Sequence, residues 1–149
     1  MTTARGMWVP GELLPTNAAL HEMRAAGFHA GAGRYRPRLS QVLAVRQASD
    51  NYAGAARAVR KRVADAARLR RWEEVPQDAR VRLRFSVYGY PKWDAAGAML
   101  PAKWAEDGLV DAGVLRSDRF DTVAIEVTVC RDFETVTPPA PGMYIAVEW

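Results

Sequence analysis

The sequence has few of the residues that build disulfides, zinc sites and membrane spans. It contains one cysteine, Cys130, and two histidines, His21 and His29, in 149 residues. A single cysteine excludes an internal disulfide and a multi-cysteine zinc site, and neither histidine has a partner at metal-ligand spacing. No run approaches the ~20 apolar residues that span a bilayer, and the first residues lack the apolar core of a signal peptide. We therefore expect a cytoplasmic protein with no membrane partner.

Lysine is also scarce, although the chain is basic. There are 21 Lys and Arg residues against 17 Asp and Glu, with a pI near 9.6, and the only lysines are Lys61, Lys92 and Lys103. Basic residues crowd the first 92 positions, whereas carboxylates dominate the stretch that follows. A basic surface beside an acidic site is typical of an enzyme that binds phosphates electrostatically and cuts them with a metal.

Length and composition predict one globular domain over 1–149. The apolar fraction is 49% and the charged fraction 26%, which argues against disorder. Apolar and polar residues alternate over 80–88 and 122–129, and weaker strand patterns cover 7–14 and 143–147. The last two strands favour an antiparallel hairpin. We expect a small α+β (α/β) domain with a mixed or antiparallel sheet of about four strands and two main helices.

The first main helix is predicted to begin at Ser49, a capping hydroxyl followed by the carboxylate of Asp50. It should continue to about Trp72, with an apolar stripe at helical spacing formed by Tyr52, Ala56, Val59, Val63 and Ala66. Residues 39–45 alternate loosely and favour a strand or a ribbon arm.

The second main helix is predicted over 101–112. Pro101 suits a first turn, where its missing N–H is no loss, and Gly113 is typical of the stop after a helix. Lys103 and Asp107 are four residues apart, so they share a face and can pair. Core contacts are expected from Leu100, Trp104 and Leu109.

Two basic stretches are candidates for contact with DNA. The first helix carries seven positive side chains against Asp65, which favours a phosphate-contacting surface over a merely solvated face. In the glycine-rich loop at 27–37, arginines bracket Tyr35, a pattern that suits backbone contact plus stacking on an unpaired base. An ordinary solvated loop is the alternative. The predicted DNA-binding residues are Arg34, Arg36, Arg57, Arg60, Lys61, Arg68 and Arg71.

The segment 90–123 concentrates the residues with the clearest chemistry. Asp94 follows the predicted strand at 80–88, and a strand end is a rigid place to mount a metal-ligating carboxylate. The alternative is that the acidic residues are only solvated surface around a packed helix. The charged residues of the segment that we consider are Asp94, Lys103, Asp107, Asp111, Asp118 and Asp121.

The order of residues in this segment resembles the RusA family of Holliday-junction resolvases, particularly its longer phage-encoded members. The match is Lys103 with DGLVDAGVL at 107–115, then Asp118 and Val123, together with a Pro-x-Asn element at Pro15 and Asn17. The resemblance implies a homodimeric α/β domain, in a bacterium or a phage-infected cell. It also implies that the dimer binds four-way DNA junctions and cuts them by magnesium-dependent hydrolysis.

The resemblance also implies a role for each charged residue. Asp94 and Asp118 would be ligands of Mg²⁺ or Mn²⁺, which prefer hard oxygen donors. Lys103 would lie beside the scissile phosphate and stabilise developing charge, and Asp107 would orient Lys103 or complete the acidic cluster.

The chain departs from the family pattern at the metal site. The family has Asp-x-Asp-Asn, whereas this sequence has Ala96 and Gly97 in place of the second carboxylate and the asparagine, and Ser117 where a later acid is common. Asp121 or Asp111 would have to compensate. Two interpretations stay open: an endonuclease with a reduced metal site, or a RusA-like module that binds junctions or proteins without cutting.

Overall fold

The computed structural model describes residues 2–13, 39–90, 93–116, 123–130 and 141–149, with only the backbone for 39–50. Its strands are β1 (Ala4–Pro10), β2 (Val81–Tyr88), β3 (Val123–Val129) and β4 (Gly142–Glu148), and its helices are α1 (Leu39–Leu69) and α2 (Ala95–Asp111). The expected α+β fold, with a four-stranded mixed sheet and two main helices, is confirmed. Neither helix in the described ranges combines the length and apolarity needed to cross a membrane.

The strands are ordered β1-β4-β2-β3. β4 runs antiparallel to both β1 and β2, whereas β3 runs parallel to β2, with Val81 opposite Val123 and Val87 opposite Val129. The predicted hairpin between the last two strands is wrong, because β2 lies between them. Parallel neighbours require a crossover connection, and α2 supplies it in a β2-α2-β3 unit.

Both helices cover one face of the sheet, and the core lies between the helices and the sheet. The central strand β2 buries Leu83, Phe85 and Val87 completely on that face, as its alternation predicted. α1 contributes Val59, Val63 and Ala67, and α2 contributes mostly alanines together with Trp104 and Leu109. Small alanine side chains let α2 lie close to the strands.

The edge strand β3 is less covered than its sequence suggests. Val123, Val127 and Val129 are only half-buried and Ile125 is 44% exposed. These residues share a face as predicted, but β3 pairs with β2 alone among the described strands. An edge position leaves one side of the strand without a neighbour, so alternation by itself overstates burial there.

α1 begins ten residues earlier than predicted. Residues 39–45, predicted as a strand, are helical, and Ser49 and Asp50 lie inside the helix instead of capping it. A short apolar run fits either period, so its alternation was a weak guide. The predicted apolar stripe is confirmed where it is deepest, at Val59 and Val63. The helix ends at Leu69, and Arg71 adopts a left-handed conformation with φ of 54°.

α2 also begins earlier, at Ala95, so the prediction that Pro101 starts the helix is wrong. Asp94 is the N-cap, and its Oδ1 accepts a hydrogen bond of 2.7 Å from the Gly97 N–H. Pro101 lies inside the helix with its side chain fully buried. Packing of the ring offsets the helical hydrogen bond that a proline cannot donate.

The C-terminus of α2 matches the predicted stop. Gly113 has φ of 75°, a conformation that suits glycine. Its N–H donates to Val110 O at 3.0 Å, and the Val114 N–H donates to Leu109 O at 3.0 Å. This pair of bonds is a Schellman motif, and it turns the chain so that Val114 and Leu115 enter the core.

Candidate functional site

Lys103 and Asp107 form an ion pair on the exposed side of α2, as predicted. The lysine Nζ lies 3.0 Å from Asp107 Oδ1 and 3.2 Å from Glu106 Oε2, and the lysine side chain is 58% exposed. The hydrogen bond to Asp107 raises the pKa of Lys103, and the bond to Glu106 adds to that effect. Lys103 is therefore a permanent cation at neutral pH, suited to neutralising an anion and not to donating a proton.

Asp94 lies at the N-terminal end of the same helix, away from this pair. It precedes Lys103 by nine residues, which corresponds to about 13 Å along a helix axis. One carboxylate oxygen caps the helix at Gly97, and the side chain is exposed. The structure thus brings Lys103 and Asp107 together but does not bring Asp94 to them.

Tyr90 and Trp93, between the end of β2 and Asp94, contact each other. The rings of Tyr90 and Trp93 stack with centroids 4.0 Å apart, and the Trp93 N–H donates to Tyr90 O at 3.0 Å. The Tyr90 hydroxyl accepts a hydrogen bond of 2.7 Å from the Leu13 N–H, and burial raises the pKa of Tyr90. These contacts fix the position from which Asp94 enters the helix.

Asp118 and Asp121, the other predicted metal ligands, lie outside the described residues. The described residue that follows them, Val123, is opposite Val81 at the start of β2, whereas Asp94 follows the end of β2. A seven-residue strand spans about 20 Å from one end to the other. Within the described residues, no three Asp, Glu, His or Cys side chains form a metal-binding group.

Gly108 and Asp111 both contribute to the packing of α2 against α1. A Cβ on Gly108 would lie 2.7 Å from Arg60 O and 2.8 Å from Val63 Cβ, so this crossing requires glycine. Beside it, Arg60 holds Asp111 through two hydrogen bonds of 2.8 and 3.0 Å. This guanidinium lowers the pKa of Asp111. Arg68 also donates to Asp111 O at 2.9 Å.

The predicted DNA-binding side chains of α1 separate into two groups. Arg57, Lys61 and Arg68 are exposed and recur at helical spacing along one strip, where Lys61 and Arg68 both pair with Asp65. Arg60 turns toward α2, where both of its hydrogen bonds go to the Asp111 side chain, and Arg68 also reaches α2 through Asp111 O. Arg71 is exposed beyond the helix end, and Arg34 and Arg36 lie outside the described ranges.

Sequence reasoning missed one anchor and one surface. Arg62 donates to Pro10 O at 3.2 Å and to Glu12 O at 2.6 Å, so it ties α1 to the end of β1. The missed surface is the sheet face opposite the helices. The basic alternation of β2 signalled it, but the aromatic residues that join it, Trp8 and Tyr144, come from distant strands.

Comparison with known proteins found no matching family model, no matching curated protein and no matching solved structure. The RusA resemblance rests on the residues quoted for it. Of these, the structure uses Gly108, Leu109 and Gly113 for packing and helix termination. Lys103 is exposed and Asp107 is half-buried, and neither belongs to the hydrophobic core.

Proposed function

We propose that this chain is a structure-selective endodeoxyribonuclease of the RusA type, which resolves four-way DNA junctions as a homodimer by metal-dependent hydrolysis. The observation that carries the proposal is the Lys103–Asp107 pair, oriented on a rigid helix and open to a ligand. Two symmetric cuts require two sites related by a two-fold axis.

Lys103 acts as a fixed positive charge beside the scissile phosphate. Preoriented cations of this kind stabilise the charge that develops in a phosphoryl-transfer transition state. Asp107 and Glu106 hold the ammonium group in place from one side, which reduces the ordering cost when a phosphate arrives.

A metal ion would be held by Asp94, with Asp118 and Asp121 as the further predicted ligands. Mg²⁺ is commonly bound by one or two carboxylates together with water and substrate phosphate. Asp94 follows the end of β2, whereas Val123, the described residue after Asp118 and Asp121, is opposite the start of β2, so Asp94 would be the single ligand at its own end of the sheet. Asp94 uses Oδ1 as a helix cap, which leaves Oδ2 as the oxygen for the metal. When bound, the metal neutralises phosphate charge and lowers the pKa of the attacking water.

The exposed strip of Arg57, Lys61 and Arg68 supplies the contact with the DNA backbone. It is next to the helix that carries Lys103, because Arg68 donates to Asp111 O of that helix at 2.9 Å. Only Asp65 offsets its charge within the strip, so phosphate contacts there would release counterions and weaken steeply with salt.

Junction binding without cleavage is the second candidate, and the first turn of α2 favours it. Ala96 occupies the position of the missing carboxylate, and its side chain is exposed at the helix start next to the Asp94 cap. An alanine offers no metal ligand. In this case Lys103 and the strip on α1 would hold DNA without a complete metal site.

The decisive experiment measures nicking of a synthetic four-way junction with Mg²⁺ or Mn²⁺ at saturating protein. The chain offers a matched pair of variants, because Lys61 and Lys103 are both helical lysines paired with an aspartate four residues on. We expect Lys103→Gln to slow nicking by about 10²-fold and Lys61→Gln to leave the saturated rate unchanged. Equal effects from the two variants would contradict the role of Lys103.

Three further results distinguish the candidates. Loss of nicking in Asp118→Asn supports the nuclease. Tight binding without nicking, with activity gained in Ala96→Asp, identifies the binding module instead. No junction binding, or a monomer by light scattering, would contradict the junction-resolving dimer.

A further inference from the structure

The face of the sheet opposite α1 and α2 presents its own pattern of side chains. Strand register brings together residues from all four strands on this open face, which no described helix covers. They include Trp8, Arg82, Arg84, Ser86, Tyr88 and Tyr144. None of them belongs to the hydrophobic core.

Three aromatic rings cluster at one end of the open face. Tyr144 is opposite both Trp8 and Ser86, and Trp8 meets Tyr88 edge-on with ring centroids 5.6 Å apart. Tyr144 is 40% exposed, although a large aromatic side chain would normally be buried. Burial raises the pKa of Tyr88 to about 12, so its hydroxyl stays neutral beside an anion.

Two glycines let these rings lie along the sheet. The Tyr144 hydroxyl lies directly above Gly6, where a Cβ would be only 1.9 Å from the oxygen. The outer ring atoms of Trp8 lie over Gly142, 2.5 Å from the position of a Cβ. Both side chains therefore extend across a neighbouring strand, and Tyr144 keeps exposed ring surface on which a base can stack.

Arginines occupy the other end of the open face. Arg80, Arg82 and Arg84 follow each other on one side of the chain at intervals of two residues, or about 6.8 Å. Glu126 and Glu148 each lie 3.5 Å from Arg84 and offset its charge. Arg80 and Arg82 form no ion pair within the described residues, and they line a cleft of about 380 Å³. Glu148 also lines this cleft opposite Arg82, but its carboxylate pairs with Arg84.

We infer that the open face binds an unpaired nucleic-acid strand, with its phosphates on Arg80 and Arg82 and its bases on Tyr144 and Trp8. Arginines that lack carboxylate partners are complementary to a polyanion. Aromatic rings on the same surface stack bases of any sequence. Arg82 and Ser86, which is opposite Tyr144, are four residues apart on β2. The cations and the rings are therefore about 13 Å apart along the sheet.

This inference does not depend on junction cleavage, because Lys103 lies on the helix side of the sheet. The open face would hold a single strand whether or not the protein cuts DNA. The two proposals therefore fail separately: the nicking assay reports on α2, and single-strand binding reports on the open face.

The test measures fluorescence anisotropy of labelled oligo(dT) and oligo(U) with the full chain at low salt. We expect Tyr144→Leu and Trp8→Leu each to weaken binding about tenfold, the loss of one stacking contact. Tyr144→Phe keeps the ring and should bind like the wild type. Urea denaturation of the two leucine variants controls for any loss of folding.

A second pair of variants tests the cations. Arg82→Gln should weaken binding and reduce the salt slope by about one, whereas Arg116→Gln removes the same charge from an arginine paired with Glu74 and should do neither. Identical affinity for wild type, Tyr144→Leu and Arg82→Gln would overturn the inference. It would also be overturned if Tyr144→Leu turned a dimer into a monomer by light scattering without changing oligonucleotide affinity, since a second copy would then occupy the face.

Discussion

The two faces of β2 differ in what they contribute to the protein. On the helix side, Leu83, Phe85 and Val87 are completely buried and belong to the same hydrophobic core as residues of both helices. On the open side, Arg82 and Arg84 are exposed and Ser86 is half-buried. One strand thus supplies stability from one set of side chains and a charged surface from the other. Substitutions on the two faces should have separable effects.

The largest expected effect tests the buried face directly. Phe85→Ala should lower the free energy of unfolding by about 3–5 kcal/mol, because it removes a large buried side chain and leaves a cavity. Ser86→Ala, the adjacent residue on the open face, should change it by less than about 0.5 kcal/mol. Urea denaturation measures both. A similar loss in the two variants would mean that the open face is also packed.

A smaller effect tests the helix layer that covers the buried face. Gly108→Ala should cost about 1–3 kcal/mol, since its Cβ would overlap Arg60 O and Val63 at the helix crossing. Gly54→Ala in α1 is the control, because no atom lies within 4 Å of the added Cβ. It should stabilise the protein by about 0.5–1 kcal/mol. Thermal unfolding measures both variants. A neutral Gly108→Ala would mean that α1 and α2 can move apart at Gly108 without a loss of stability.

The smallest effect concerns the ion pair that joins the helices. Asp111→Asn should cost no more than about 1 kcal/mol, because the side chains of Arg60 and Asp111 are 43% and 38% exposed and solvent screens them. Asp65→Asn, which loses a more exposed pair, should cause no measurable change.

The same pair predicts a pH dependence. Arg60 lowers the pKa of Asp111 in the folded protein. The contribution of this ion pair to the free energy of unfolding is therefore complete when the pH is above the ordinary aspartate pKa. It disappears as the pH falls through the lowered pKa of the folded protein. Urea midpoints measured across this acidic range should fall more in the wild type than in Asp111→Asn. If the urea midpoints of the wild type and Asp111→Asn fell in parallel with pH, the pair would not contribute to this pH dependence.

Some structural features were predictable from local patterns, and others were not. The alternation of β2 and the glycine after α2 each depend on a few consecutive residues, so both predictions were correct. The start of α1 was wrong because residues 39–45 fit either period. The start of α2 was wrong because tertiary packing accommodates Pro101 inside the helix.

The candidate site shows the same division. A spacing of four residues on a helix determines that Lys103 and Asp107 meet, so the pair was predictable. The partner of Asp111 was not, because Arg60 comes from a helix fifty-one residues earlier in the chain.

The sequence by itself determined the secondary structure of β2 and the C-terminal half of α2, the Lys103–Asp107 pair and the basic character of α1, because local spacing and charge encode them. Only the tertiary structure decided that β2 separates β3 from β4. It also decided that the helices approach closely at Gly108, and that Trp8 and Tyr144 lie on the same face of the sheet as the arginines of β2. Each of these depends on which distant segments become neighbours, and that is set by packing of the whole core.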